Sequence, residues 1–194
     1  MHQRLHFVSQ SRSGGNNTGL GQRALTSNTT ASNNTAVGVN ALGSNTTGTQ
    51  NVAVGAFALD ANTTATSNTA VGYYALTLST TGANNTAVGD RACEDHTTGS
   101  NVTALGTQAL TNNTTGDSNT ALGMQSLFTN TTGARNVAVG KDALRANTTA
   151  TDNTAVGIDA LTANTTGINN TALDRDWETM IAYQEQYLSL LLCY

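Results

Sequence analysis

The chain contains no proline. Proline removes a backbone donor, so its absence suits a chain whose backbone is hydrogen-bonded nearly throughout. Charged residues make up 10% of the sequence and aromatics 5%, too little of either for an ordinary globular mix. The formal net charge of −4 leaves no basic footprint for nucleic acid. It also falls short of the high net charge that marks disordered chains. The two cysteines, Cys93 and Cys193, lie too far apart to make a disulfide framework or a metal-ligand spacing. No stretch reaches the roughly 18 apolar residues of a membrane-spanning helix. Residues Met1 to Gln10 lack the continuous apolar run of an export signal. What the chain has in surplus is Asn, Thr, Ala and Gly.

These residues are arranged in a strict repeat. The phrase Asn-Thr-Ala-Val-Gly recurs with variations, its first residue at Asn17, Asn34, Asn51, Asn68, Asn85, Val102, Asn119, Asn136, Asn153 and Asn170, and every step is 17 residues. The unit reads Asn-Thr-Ala-Val-Gly-x-x-Ala-Leu-x-x-Asn-Thr-Thr-Gly-x-x. Its fourth position is always Val or Leu, and its ninth is Leu except at Cys93. Its twelfth is Asn except at Ser79 and His96. The segment before Asn17 fits the same frame loosely, with Phe7-Val8 at the Ala-Leu positions, and reads as a degenerate first coil over residues 1–16.

A 17-residue unit is too short for two helices and a turn, so helical repeats are excluded on length. Glycine and Asn-Thr clusters at fixed places punctuate any helix. Short extended segments between turns remain, and the predicted fold is all-β: a parallel β-solenoid over residues 17–173. One coil cannot bury its own apolar side chains, but stacked coils can. Equivalent residues then lie about 4.8 Å apart, giving a rod on the order of 48 Å long for ten coils.

Strand alternation places the second and fourth residues on one face and the alanine on the other. On that reading the interior is a double ladder of Val37, Val54, Val71, Val88, Val139 and Val156 with Leu42, Leu59, Leu76, Leu110, Leu144 and Leu161. Each buried side chain would contribute roughly 1.5–3 kcal/mol before entropy is charged against it. The small third-position alanines Ala36, Ala53, Ala70 and Ala87 would then face outward and let rods approach closely. Asn at the first and twelfth positions should form amide ladders from coil to coil. The repeated glycine should mark a corner with positive φ or a tight backbone approach. Charges scatter over the sixth, seventh, tenth, eleventh, sixteenth and seventeenth positions, the expected exposed corners, because stacked like charges repel.

With these phrases in hand, notably Asn34 to Gly38, Asn68 to Gly72 and Asn153 to Gly157, the sequence resembles the head repeats of trimeric autotransporter adhesins. It also looks like repeats in phage tail-fibre and surface-fibre proteins. The resemblance covers residues 17–173. It implies a parallel β-roll, often trimeric, displayed on a surface and used for attachment.

After Leu173 the composition changes. Residues 174–194 hold Trp177, Ile181, Leu188 and Leu192 at loose helical spacing, so a short amphipathic helix is expected there. Such a tail would cap the last coil, or dock a further subunit through Trp177, Ile181, Tyr187 and Leu188. Candidate chemistry is sparse. Insertion-free repeats leave no long loop on which to build a catalytic pocket, so no enzyme, cofactor or metal site is expected. His96, beside Glu94 and Asp95, reads first as a tolerated ladder substitution, and Cys93 as an inert buried thiol. Sequons at Asn28, Asn45, Asn62, Asn113, Asn130, Asn147 and Asn164 predict glycan attachment, unless they are simply how an Asn-Thr turn ladder is spelled. Sequons at Asn33, Asn84 and Asn101 add to them. Tyr73, Tyr74, Phe57 and Phe128 fall at the corners, where they could meet a partner subunit or a carbohydrate.

The expectation is therefore a structural or adhesive fibre component, extracellular or on a cell or virion surface. It would assemble with itself as a homotrimer or an end-to-end filament, with a surface receptor or carbohydrate as further partner. Nucleic acid and a membrane span are not expected. The alternative is a monomeric binding module for glycan or ice, the latter suggested by the regular threonines such as Thr29-Thr30 and Thr46-Thr47.

Overall fold

The computed structural model describes residues 14–173. The segment containing Phe7 and Val8 and the expected tail contacts Trp177, Ile181, Tyr187 and Leu188 lie outside the described residues. So does the expected tail helix.

The chain winds into a β-solenoid of 17-residue coils, each with one short strand. The strands are β1 (Thr18–Leu20), β2 (Thr35–Val37), β3 (Val52–Val54), β4 (Thr69–Val71), β5 (Thr86–Val88), β6 (Thr103–Leu105), β7 (Thr120–Leu122), β8 (Val137–Val139), β9 (Thr154–Val156) and β10 (Thr171–Ala172). They form a single ten-stranded sheet in sequence order. Every pairing is parallel and in register by repeat position, as in Val52↔Thr69, Ala53↔Ala70 and Val54↔Val71. A one-residue slip would invert every side chain, and the unbroken 17-residue period forbids it.

The other positions of each coil are turns, yet their backbone is still tied to adjacent coils. The ninth, eleventh and thirteenth N–H groups donate to the following coil, as in Leu42 N to Ala58 O at 3.1 Å, Ser44 N to Asp60 O at 3.0 Å and Thr46 N to Thr63 O at 2.9 Å. The fifth, seventh and seventeenth donate to the preceding coil, as in Gly38 N to Leu20 O, Asn40 N to Gln22 O and Gln50 N to Ser32 O. The bends that aim these groups come from residues with positive φ. The seventh position has φ of 54–62°, the ninth 49–54° and the seventeenth 57–62°. Asn and Asp tolerate this left-handed region, and the seventeenth position is rich in them. Leucine at the ninth position does not favour it, and each such residue costs about 1–2 kcal/mol. Burying a leucine side chain contributes about as much or more, roughly 1.5–3 kcal/mol, so the bend is held by the packing it makes possible.

The fifth-position glycines are required twice over. Their φ lies between 129° and 142°, and a Cβ there would run into the carbonyl of the equivalent glycine one coil on. Tight corner and close backbone approach coincide at this one residue.

The interior differs from the sequence expectation in one respect. The buried strand residue is the third-position alanine, and Ala36, Ala53, Ala70 and Ala87 have no exposed surface. Val37, Val54, Val71, Val88, Val139 and Val156 are half-buried on the opposite, outer face. Alternation holds, but in the reverse phase. The reason is width. The coil turns so tightly that one face of its strand meets the ninth-position leucines, the eighth-position alanines and two columns of asparagine at once. Leu42, Leu59, Leu76, Leu110 and Leu144 fill that space completely, with Leu161 packed partly buried at the end of the cluster. Only a methyl group fits opposite them. The alanines therefore cannot form a contact surface between rods.

Candidate functional site

Three surfaces could carry function: the polar spine inside the coil, the outer face of the sheet, and the corners.

The spine is built from asparagine. At the first position, Asn34 donates from Nδ2 to Gly48 O at 2.9 Å, which clasps the coil shut, and its Oδ1 accepts from Asn51 N at 2.9 Å. At the twelfth position, each Asn Nδ2 donates to the carbonyl three residues on, and where the preceding coil also carries Asn it donates to that Oδ1 as well. Asn130 does so to Gly133 O and Asn113 Oδ1 at 2.9 and 2.7 Å. A third column runs along the thirteenth position, where each Thr Oγ1 donates to the next coil's Thr carbonyl, for example Thr114 to Thr131 O at 3.0 Å.

This settles where the twelfth-position sequons sit. Asn28, Asn45, Asn62, Asn113, Asn130 and Asn147 are buried, and their Nδ2 atoms serve the ladder. Asn164, near the end of the described coils, is half-buried and bonded in the same way. A glycan on Nδ2 would remove those hydrogen bonds and has no room inside the coil. The folded structure is incompatible with glycans at the six buried positions, where the Asn-Thr-Thr spelling reflects the ladder. Asn33, Asn84 and Asn101, at the seventeenth position, are exposed.

His96 replaces an asparagine without breaking the column. Its Nε2 lies 2.7 Å from Gly99 O and its Nδ1 accepts from Asn113 Nδ2 at 2.9 Å. The carbonyl demands a proton on Nε2 and the carboxamide demands a bare Nδ1, so the ring is the neutral Nε2–H tautomer. Burial pushes its pKa below the usual histidine value. Ser79 does break the column: it is too short to reach its neighbours, and both Ser79 Oγ and Asn62 Oδ1 are buried with no hydrogen-bond partner. Cys93 is buried in the leucine column, and desolvation pushes its thiol far above the usual range. A thiol so held is a core group and not a nucleophile. Among the described residues no three His, Cys, Asp or Glu side chains gather as a metal site.

The outer face of the sheet presents the second and fourth strand residues. These form two parallel columns, Thr or Val in one and Val or Leu in the other, without a charged residue in ten strands. Leu105 is 50% exposed. Beyond the glycine corner the sixth position extends the apolar strip at Val39, Tyr73, Met124 and Ile158, all exposed. The adjacent threonine pairs divide as alternation requires: the thirteenth bonds along the stack, and the fourteenth is exposed in every coil from Thr30 to Thr166.

The corners carry the described charges, as in the bidentate pair of Arg135 with Asp152 at 2.7 and 2.8 Å across adjacent coils. They also carry an aromatic stack. Phe57 and Tyr74 lie face to face at 4.9 Å, Tyr73 packs edge-on against Tyr74 at 4.3 Å, and the Arg91 guanidinium covers Tyr74 at 5.8 Å. Phe128 is covered likewise by Arg145 at 5.7 Å. Stacking by repeat position brings these rings together, which the one-dimensional pattern leaves implicit.

No protein family, curated protein or solved structure matches this chain significantly. No described helix is long and apolar enough to cross a membrane.

Proposed function

We propose that this chain is a stiff structural or adhesive segment of an extracellular fibre, carried on a cell or virion surface, that assembles side by side with copies of itself. One observation carries the reading: the charge-free outer face of the sheet, which presents an unbroken Val/Leu column beside a Thr/Val column, with Leu105 half-exposed at its centre. A continuous Val/Leu column of this kind, running the length of a rod whose charges are confined to the corners, supports an interaction surface. Its occupant is another rod, because a partner with the same 17-residue period offers apolar side chains at the same axial spacing along its whole length. The role is mechanical and connective, with no catalytic step. Three chains joined by this face would be the arrangement that the adhesin-head resemblance implies.

Light scattering behind a sizing column tests the proposal. The expected result is a discrete mass of several chains. The double variant Val71→Lys, Leu105→Lys should reduce it to a single chain while leaving the circular dichroism spectrum unchanged. A polydisperse, very large species that the variant does not dissolve would move the contact to the rod ends. A single-chain mass for the unaltered protein would overturn self-assembly and leave the monomeric binding module for glycan or ice.

A further inference from the structure

The interior repeats, but the corners do not, and one of them contains an open notch. Position ten carries Thr26, Gly43 and Asp60 in the first three coils. Because Gly43 has no side chain between its neighbours in the column, a notch of about 430 Å³ opens there. That volume lies within the range of small-ligand sites, roughly 300–1,000 Å³. Arg23, Thr26, Ser27, Asn40, Ser44 and Asp60 line it with Gly43.

The carboxylate of Asp60 leans into the space that Gly43 leaves: a Cβ on Gly43 would stand 2.7 Å from Asp60 Oδ1. Among the described residues, neither Asp60 nor Arg23 takes part in an ion pair, although Glu94, Asp142 and Asp152 all do. Partial burial raises the Asp60 carboxyl above its ordinary range, as expected for an acid held in a recess without an ion-pair partner.

The lining decides the ligand class. Arg23 disfavours a bare cation, and Asp60 disfavours an inorganic anion. A carboxylate, a guanidinium, a carboxamide and three hydroxyls together offer acceptors and donors around one notch. A ring bearing vicinal hydroxyls satisfies both kinds, since each hydroxyl donates once and accepts as well. We propose that the notch at Gly43 is a saccharide-binding site sized for one or two sugar residues. Asp60 would accept from one hydroxyl, and Arg23 and Asn40 would donate to its neighbours.

The test is an NMR titration of the full-length, isotopically labelled chain with glucose, galactose, mannose and N-acetylglucosamine, with methylammonium and inorganic phosphate in parallel. Saturable shifts of the Asn40, Gly43 and Ser44 amides with at least one sugar are expected. Gly43→Thr should abolish them by refilling the notch. The substitution suits the fold, because position ten is already threonine at Thr26, Thr77, Thr111 and Thr162. Asp60→Asn should weaken binding about tenfold, the loss of one charge-assisted hydrogen bond. The proposal is overturned if no sugar shifts these amides, if only methylammonium or phosphate does, or if Gly43→Thr responds as the unaltered chain does. None of these outcomes depends on the assembly state.

Discussion

At the scale of single residues, the rod is most informative where its repeat is broken. Ser79 leaves Asn62 Oδ1 and its own hydroxyl buried without partners, a cost of about 1–3 kcal/mol for each such group. Ser79→Asn should supply the missing Nδ2 donor to Asn62 and to Gly82 O, which now accepts only from Asn68 among the described side chains. A gain of roughly 1–2 kcal/mol is expected, read as a higher urea midpoint. No gain would mean that the ladder adds little to stability. His96 makes the opposite point, since it continues the ladder only while uncharged. Desolvation lowers its folded pKa, so the unfolded chain takes up a proton more readily. The contribution is therefore fully present above the unfolded value of about 6.5 and is lost as the pH falls below it. Between pH 7.5 and 5 the urea midpoint should drop, and His96→Asn should flatten the change. Asp152, held below the ordinary carboxylate range by its hydrogen bond and charge pairing with Arg135, loses its share only at more acid pH.

At the scale of the coil, the glycine corner is the feature least able to change. Gly55→Ala would place a methyl group against the Gly72 carbonyl at a backbone angle of 135°. A loss of about 3 kcal/mol is expected, seen as a lower thermal midpoint. Gly43→Ala, at an ordinary φ and meeting the movable end of Asp60 with Asn40 O at 3.1 Å, should cost far less. If the two variants melted alike, backbone conformation would not be what selects glycine at the fifth position. The existence of coils, their length and their corners could be read from spacing alone, because a 17-residue unit rich in Gly and Asn-Thr admits few alternatives. The amide ladders were legible too, since an asparagine repeated at fixed intervals in a stack has its own copy as nearest neighbour. Which strand face points inward was not legible. Thr-Ala-Val alternates equally well in either phase, and the usual preference for burying valine misleads when the space is only an alanine wide. The left-handed leucines were likewise hidden, because nothing in leucine's own preferences announces φ near 50°. The notch at Gly43 needed the third dimension: Arg23, Gly43 and Asp60 are far apart in sequence and meet only because the chain returns to the same corner in each coil.

At the scale of the whole molecule, stability should follow the logic of a stack, each coil interacting only with its neighbours. Deleting Thr120 to Asn136, one full period, joins Asn119 to Val137 in the original frame. The shortened chain should keep the same β spectrum with a modestly lower urea midpoint. Deleting Thr120 to Arg135 instead shifts the frame by one residue and should unfold everything beyond the junction. Equal behaviour of the two deletions would show that register is not held by the pattern. The direction of the bonding has a further consequence. Nearly every hydrogen bond between coils points along the rod, and the strands lie across it. Compression presses the stack together, whereas tension applied at the ends opens one coil's bonds before it reaches the next. Pulled singly, the molecule should lengthen in equal steps of about 17 residues, each releasing on the order of 55 Å of chain. Steps of irregular size would deny this. A stack built this way would release its chain under load one coil at a time, the rest of the rod staying intact until its turn comes.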